Sequence, residues 1–243
     1  MTNLKYLVPN SCTALSLVLG LASVALSASG RFEDAAWLIL WGVLLDKLDG
    51  GFARMLDASS EFGAEMDSFA DFVVFGIAPS ALAFFSLTDG VVDPGEGVIA
   101  GACAAYALAV GIRLARFNVS EPEGSKWVFF GVPTTLVGGI LGSGWLTAQA
   151  YDFMDTFNAC LPVALVVFGG LMVSNVRIPK FSLRWSKPVN AFQIVNMGLV
   201  YILVPLKLYP EYLLFLGSFY LLFGLTWGAL YADAAQAEEQ SAT

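Results

Sequence analysis

Four aspartates of this chain stand where an aspartate is costly. Asp46 and Asp49 lie in one long apolar stretch, Asp67 and Asp71 in the next, and Lys47 and Arg54 accompany the first pair. Insertion scales put Asp at the centre of a membrane-spanning helix near +2.5 to +3.5 kcal/mol, so an intramembrane acid marks function unless a partner explains it. Two cations cannot neutralise four acids, which disfavours a set of purely structural ion pairs. Carboxylates this close ionise together only with added positive charge. Oxygen-only donors favour Mg²⁺, Mn²⁺ or Ca²⁺. Two such ions about 3.5–4 Å apart suit in-line displacement at phosphorus. The sequence has no histidine, which removes the commonest general base and a common zinc ligand. Any catalysis must rest mainly on carboxylates.

Helical spacing explains how these acids meet. Asp46, Asp49, Gly50 and Ala53 fall at i, i+3, i+4 and i+7, and Gly63, Asp67 and Asp71 at i, i+4 and i+8. Each set shares one helix face. The two helices are joined by a short turn around residues 55–61 and so form a hairpin. Residues at equal depth in an antiparallel hairpin have a nearly constant sum of residue numbers. Ala53 with Gly63, Asp49 with Asp67, and Asp46 with Asp71 meet that condition to within one residue. The acids should form two layers about one helical turn, or ~5 Å, apart. Above them, Ala53 and Gly63 leave room for close approach by a backbone or a ligand.

The elements that carry this hairpin must be membrane spans. Of the 243 residues, 57% are hydrophobic and only 13% charged, and mean hydropathy is +0.71. An ordinary globular chain is about 25% charged. Eight apolar runs are each near the ~20 residues that cross a bilayer: 11–29, 35–56, 62–87, 98–117, 131–148, 159–176, 191–206 and 212–231. The expected fold is an all-α, polytopic helical bundle in one domain over residues 1–231, followed by a disordered acidic tail over 232–243. Lys5, Arg54, Arg113, Arg116, Lys126, Arg177, Lys180, Arg184 and Lys187 collect on one side, against Arg31 and Lys207 on the other. The side richer in Lys and Arg is cytoplasmic, which places both termini and the acid cluster toward the cytoplasm of a cell membrane. The formal net charge of −8 carries no partner claim, because many of the acids lie in short loops and the tail. Cys12, Cys103 and Cys160 are far apart and make no C-x-x-C motif, so they read as small membrane residues. Nothing in the chain suggests nucleic-acid binding.

The acids belong to a longer pattern: Asp46-x-x-Asp49-Gly50-x-x-Ala53-Arg54, eight residues, then Gly63-x-x-x-Asp67-x-x-x-Asp71. This resembles the full motif of the CDP-alcohol phosphotransferase superfamily. The resemblance implies a homodimeric membrane enzyme that displaces CMP from a CDP-linked donor, with Mg²⁺ or Mn²⁺ as cofactor, two ions per site, and Ca²⁺ as a substitute. By motif position, Asp46, Asp49 and Asp67 are implied as metal ligands. Asp71 is implied as the general base and as a further contact to a metal. Gly50, Ala53 and Arg54 are implied to face the cytidine diphosphate, with Asp49 and Gly63 beside them.

Flanking residues narrow the resemblance. Leu7-Val8-Pro9-Asn10-Ser11-x-Thr13, Phe62 to Asp71 running on to Phe75-Gly76-Ile77-Ala78-Pro79, Arg113-Leu114-Ala115-Arg116-Phe117-Asn118-Val119 and Gly131-Val132-Pro133 are together similar to the CDP-diacylglycerol–serine O-phosphatidyltransferases, over about residues 7–135. Departures occur at Val73-Val74-Phe75, where a Ser is expected before the Phe, and at Thr134-Thr135, where more Pro and Ala are expected. The implied substrates are CDP-diacylglycerol and L-serine, with CMP as a product. Asn10 and Thr13 are assigned to the nucleotide, with helix capping as the competing reading. Arg113 and Arg116 share a face and suit carboxylate or phosphate binding, with a positive-inside anchor as the alternative; Asn118 joins them. Arg177, Lys180, Arg184 and Lys187 are assigned to anionic lipid heads. Other acceptor alcohols (glycerol phosphate, inositol phosphate, choline) and an archaeal ether-lipid donor remain open. A divalent-cation transporter would need polar groups along a through-path, and the last four spans hold almost none.

Overall fold

A computed structural model describes residues 6–56, 60–88, 97–119, 128–180 and 187–241, with the side chains of 52–54 and 231–241 outside that description. The helices are α1 (Leu7–Ala28), α2 (Phe32–Met55), α3 (Glu61–Asp71), α4 (Ala78–Leu87), α5 (Gly97–Val119), α6 (Thr134–Ala150), α7 (Met154–Val173), α8 (Lys187–Leu206) and α9 (Pro210–Ser241). A π-helical turn, Phe72–Ile77, joins α3 to α4, so 61–87 is one continuous rod. Each of the eight expected spans therefore coincides with a helical rod. Six of them are long and apolar enough to cross a bilayer. The other two are α2, which interrupts its apolar run with Asp46, Lys47 and Asp49, and α6, which has only 17 residues. The chain is an all-α, multi-pass membrane protein.

Two features differ from the sequence expectation. Strands β1 (Val128–Phe130) and β2 (Arg177–Pro179) form a short antiparallel pair with Phe129 opposite Ile178. Three residues are too few for a period-2 pattern to reveal. Helix α9 also continues through 232–241, where composition predicts disorder. Ala, Gln and Glu are strong helix formers, and they extend the preceding span.

The packing sets two cores. Helix α1 lies along α2 and against the 61–87 rod, α5 packs on α7, and α6 lies between α2 and α9. One core gathers around Tyr106, Val110, Leu165, Met172 and Ile178, the other around Ile39, Leu40, Ala78, Leu82 and Trp145. At the end far from the acids, Asp34 accepts from Arg31 at 2.5 Å and from Lys207 at 2.9 Å. That network ties the α1–α2 turn to the α8–α9 turn.

The π turn has a cause in the sequence. In a regular helix the carbonyl of Phe75 would accept from the amide of residue 79, but residue 79 is proline. Proline has no N–H, and its ring crowds the carbonyl four residues back. A single wide turn is one way a helix absorbs this. The Tyr106 hydroxyl, fully buried on α5, donates to the Phe75 carbonyl at 2.7 Å, so the group is not left unpaired. The Ser80 hydroxyl similarly donates to Gly76 at 2.8 Å. Val74 is wholly buried where Gly20 of α1 and Gly42 of α2 approach it, and a Cβ added at Gly20 would lie 2.8 Å from its Cγ2. Phe75 sits as closely against Gly138 of α6. The turn is thus clamped by three helices and bonded to a fourth.

Gly131 fixes the start of α6. It has φ of 76°, its amide donates to the Val176 carbonyl at 2.7 Å, and the Val132 amide donates to Leu171 at 3.2 Å. A side chain at 131 would run into the Met172 carbonyl. Left-handed backbone in a non-glycine residue costs about 1–3 kcal/mol, so Gly131→Ala should destabilise the protein by at least that amount. Thermal unfolding in detergent should show a lowered midpoint. An unchanged midpoint would mean that the turn relaxes freely.

Candidate active site

The α2–α3 hairpin brings three of the four aspartates together. Asp46, Asp49 and Asp67 each offer a carboxylate oxygen, and these atoms all lie within 4.8 Å of one another. Asp49 is buried; Asp46 and Asp67 are half-buried. Three hard oxygen donors with no sulfur or imidazole among them fit Mg²⁺ or Mn²⁺. Asp71 stands outside this trio. It ends α3, one turn further into the rod, where the π turn begins. The acidic charges acting most strongly on it are those of Asp46 and then Asp67. The close group among the described residues is Asp46, Asp49 and Asp67.

Local chemistry sets the hairpin. Ser60 caps α3 by accepting from the Gly63 amide at 3.0 Å, a usual N-cap bond. The amide of Gly50 donates to Asp49 Oδ1 at 2.6 Å. Lys47 Nζ lies 3.2 Å from Asp46 Oδ2, with its own side chain 54% exposed. One lysine cannot balance three carboxylates.

The nucleotide candidates divide. A Cβ at Gly63 would come within 3.3 Å of Asn10 Oδ1, so Asn10 on α1 borders the small-residue layer above the acids. Gly50 also adjoins the trio. Thr13 is engaged with the acids: its hydroxyl donates to Asp49 Oδ2 at 2.8 Å and approaches the Pro9 carbonyl at 3.2 Å. The side chains of Ala53 and Arg54 lie outside the described residues, as do Lys5, Lys126 and Arg184.

The α5 candidates also divide. The Arg113 guanidinium is acted on by Asp71 and Asp46, and its Nε is buried with no hydrogen-bond partner among the described residues. Arg116 points elsewhere. It donates to the Val173 carbonyl at 3.0 Å, to Asn175 Oδ1 at 3.3 Å and to the Ser174 carbonyl at 3.4 Å. These are groups at the C-terminus of α7, where a cation satisfies unpaired carbonyls. Asn118 exchanges hydrogen bonds with Ser68 of α3 at 2.9 and 3.2 Å. Arg116 and Asn118 hold α5 to its neighbours.

Two residues at the site escape sequence reasoning. Thr135, the second residue of α6, donates to Asp46 Oδ2 at 3.3 Å. Tyr201 of α8 donates to the Leu44 carbonyl at 3.5 Å, within electrostatic reach of Asp46 and Asp49. Neither falls in a charged motif. The one signal for Thr135 is that it breaks the expected pattern after Gly131-Val132-Pro133.

A family model, CDP-alcohol phosphatidyltransferase, matches residues 6–227. The chain belongs to this family. Among its relatives, a CDP-diacylglycerol–serine O-phosphatidyltransferase of Helicobacter pylori (strain ATCC 700392 / 26695) is 36% identical over 203 residues, covering 82% of this chain and 84% of the relative. One of Bacillus subtilis (strain 168) is 31% identical over 179 residues, covering 72% and 90%. One of Methanocaldococcus jannaschii is 29% identical over 171 residues, covering 70% and 72%. The family match spans the hairpin, α1, α5 and α6, so every contact described above falls inside it.

Asp46→Ala, Asp49→Ala and Asp67→Ala should each weaken Mn²⁺ binding and abolish turnover, because each removes one of the three grouped carboxylates from a chain that has no histidine. Calorimetric Mn²⁺ titration alongside a CMP-release assay checks this. Near-normal activity of all three variants at low Mn²⁺ would sink the assignment.

Proposed function

We propose that this protein transfers the phosphatidyl group of CDP-diacylglycerol to the hydroxyl of L-serine, giving phosphatidylserine and CMP. The observation that carries the reading is the trio Asp46, Asp49 and Asp67, with oxygens within 4.8 Å of one another and Asp71 set one turn beyond. The family membership supports the CDP-alcohol chemistry, and the names of the relatives support serine as acceptor.

In this reading Asp46, Asp49 and Asp67 hold two divalent cations, Mg²⁺ or Mn²⁺. When bound, these supply charge neutralisation for the diphosphate and the departing CMP. Asp71 accepts the proton of the serine hydroxyl. The serine oxygen forms a bond to the phosphorus that bears diacylglycerol, and the bond from that phosphorus to the CMP oxygen breaks. Asn10, Gly50 and Gly63, with Ala53 and Arg54 beyond them, line the nucleotide side. Arg113, whose buried Nε is unpaired among the described residues, suits the serine carboxylate or the phosphate. The diacyl tails stay in the bilayer. The excess of Lys and Arg at the acid-cluster end supports a site facing the cytoplasm, with both termini on that side. A single catalytic domain through residue 231, acting as a homodimer, completes the proposal.

The deciding experiment offers purified enzyme CDP-diacylglycerol with labelled serine, glycerol phosphate, inositol phosphate or choline, in Mn²⁺ or Mg²⁺. Serine should be the alcohol converted. Conversion of another alcohol in its place would reassign the acceptor while leaving the family chemistry intact. Asp71→Asn should lower turnover with serine by about 10²–10⁴, the usual worth of a general base, and retain donor binding. An Asn variant with parental turnover would remove Asp71 from that role.

A further inference from the structure

We propose that Thr135 is a positioning residue for Asp46, and that its hydroxyl holds this carboxylate in the orientation that a divalent cation requires. The inference rests on the reading of Asp46 as a cation ligand. Each of the two α2 acids in the trio receives a hydroxyl from a different helix: Asp49 from Thr13 of α1 at 2.8 Å, Asp46 from Thr135 of α6 at 3.3 Å. Both threonines are buried, at 4% and 8% exposure. The other group at Asp46, Lys47, sits on a long and half-exposed stem, which is poorly suited to fixing a carboxylate plane. A short β-branched side chain has few rotamers and suits that task. Outer contacts of this kind commonly set the affinity of the ligands they orient.

The frame behind Thr135 is correspondingly firm. Its helix begins directly after Gly131 and Val132, whose amides are bonded to Val176 and Leu171 at the end of α7. That end is in turn held by the Arg116 guanidinium and by the pairing of β1 with β2. On α9, the Tyr220 hydroxyl donates to the Pro179 carbonyl at 2.6 Å and closes the frame from the other side.

The test uses full-length protein in detergent and reads Mn²⁺ binding directly, by the electron paramagnetic resonance signal of free Mn²⁺, in Thr135→Val, Thr135→Ser and Asp46→Asn. Valine keeps the shape and removes the hydroxyl; serine keeps the hydroxyl. The expected result is a Mn²⁺ dissociation constant raised about 10–100-fold in Thr135→Val, in the range of outer-contact losses, with most of the affinity restored in Thr135→Ser. The Mn²⁺ concentration for half-maximal turnover should move in parallel. Equal loss in the Val and Ser variants would assign Thr135 a packing role and overturn the proposal, as would parental affinity in Thr135→Val. If Asp46→Asn binds Mn²⁺ like the parent, the ligand reading of Asp46 fails and takes this proposal with it. If Asp46→Asn is impaired and Thr135→Val is not, only the positioning role is lost.

Discussion

The structure depends on the cost of gathering carboxylates inside an apolar bundle. Asp46, Asp49 and Asp67 sit within one ligand sphere of one another, and like charges at that spacing repel strongly where water is scarce. The repulsion must be met by cations or by protons. What the protein itself contributes is orientation: a hydroxyl from α1, a hydroxyl from α6 and the amide of Gly50. Apart from the Lys47 ammonium, 3.2 Å from Asp46 Oδ2, the described residues set no full positive charge among these groups. Three carboxylates with oxygens this close could hold a metal ion, and under the proposed function that ion supplies the missing charge.

The rod that carries Asp67 and Asp71 has two jobs with different geometric demands. Its first half must present acids to α2, and its second half must pack against α1, α2, α5 and α6. One uninterrupted α-helix would fix the phase between these halves. The π turn at Phe72–Ile77 adds a residue and resets that phase. Pro79 supplies the local cause and Tyr106 satisfies the carbonyl it orphans. Burial of an unpaired carbonyl costs about 1–3 kcal/mol, so Tyr106 and Pro79 are best understood as a pair.

Much of this was legible in the sequence, and the reasons differ by residue. The trio followed from helical spacing and the constant-sum rule, both of which act within a single hairpin. The number of rods followed from apolar runs. Spacing along one helix could place Asp71 one turn from Asp67, but not say whether it belongs to the close group, which is Asp46, Asp49 and Asp67. Arg113 and Arg116 looked equivalent, three residues apart on one face. Only the position of the α7 terminus, distant in sequence, decides that Arg116 is a cap. Thr135 showed only as a departure from an expected pattern and Tyr201 not at all, because their roles depend on α6 and α8 meeting α2. In the tail, helix propensity and low hydrophobicity point to different outcomes, and α9 runs on to Ser241.

The separation of Asp71 from the trio has a chemical consequence under the proposed function. A carboxylate that coordinates a divalent cation shares its lone pairs with that cation and becomes a poor proton acceptor. A general base must therefore be close enough to the reacting phosphorus to serve it and far enough from the ligand set to keep a lone pair free. One helical turn supplies that offset. Asp71 is four residues beyond Asp67 on the same face, at the point where the rod widens into the π turn. The guanidinium of Arg113 arrives there from α5 with its Nε still unpaired among the described residues. Under the proposed function, the serine hydroxyl would meet Asp71, and the serine carboxylate is a group that a guanidinium suits.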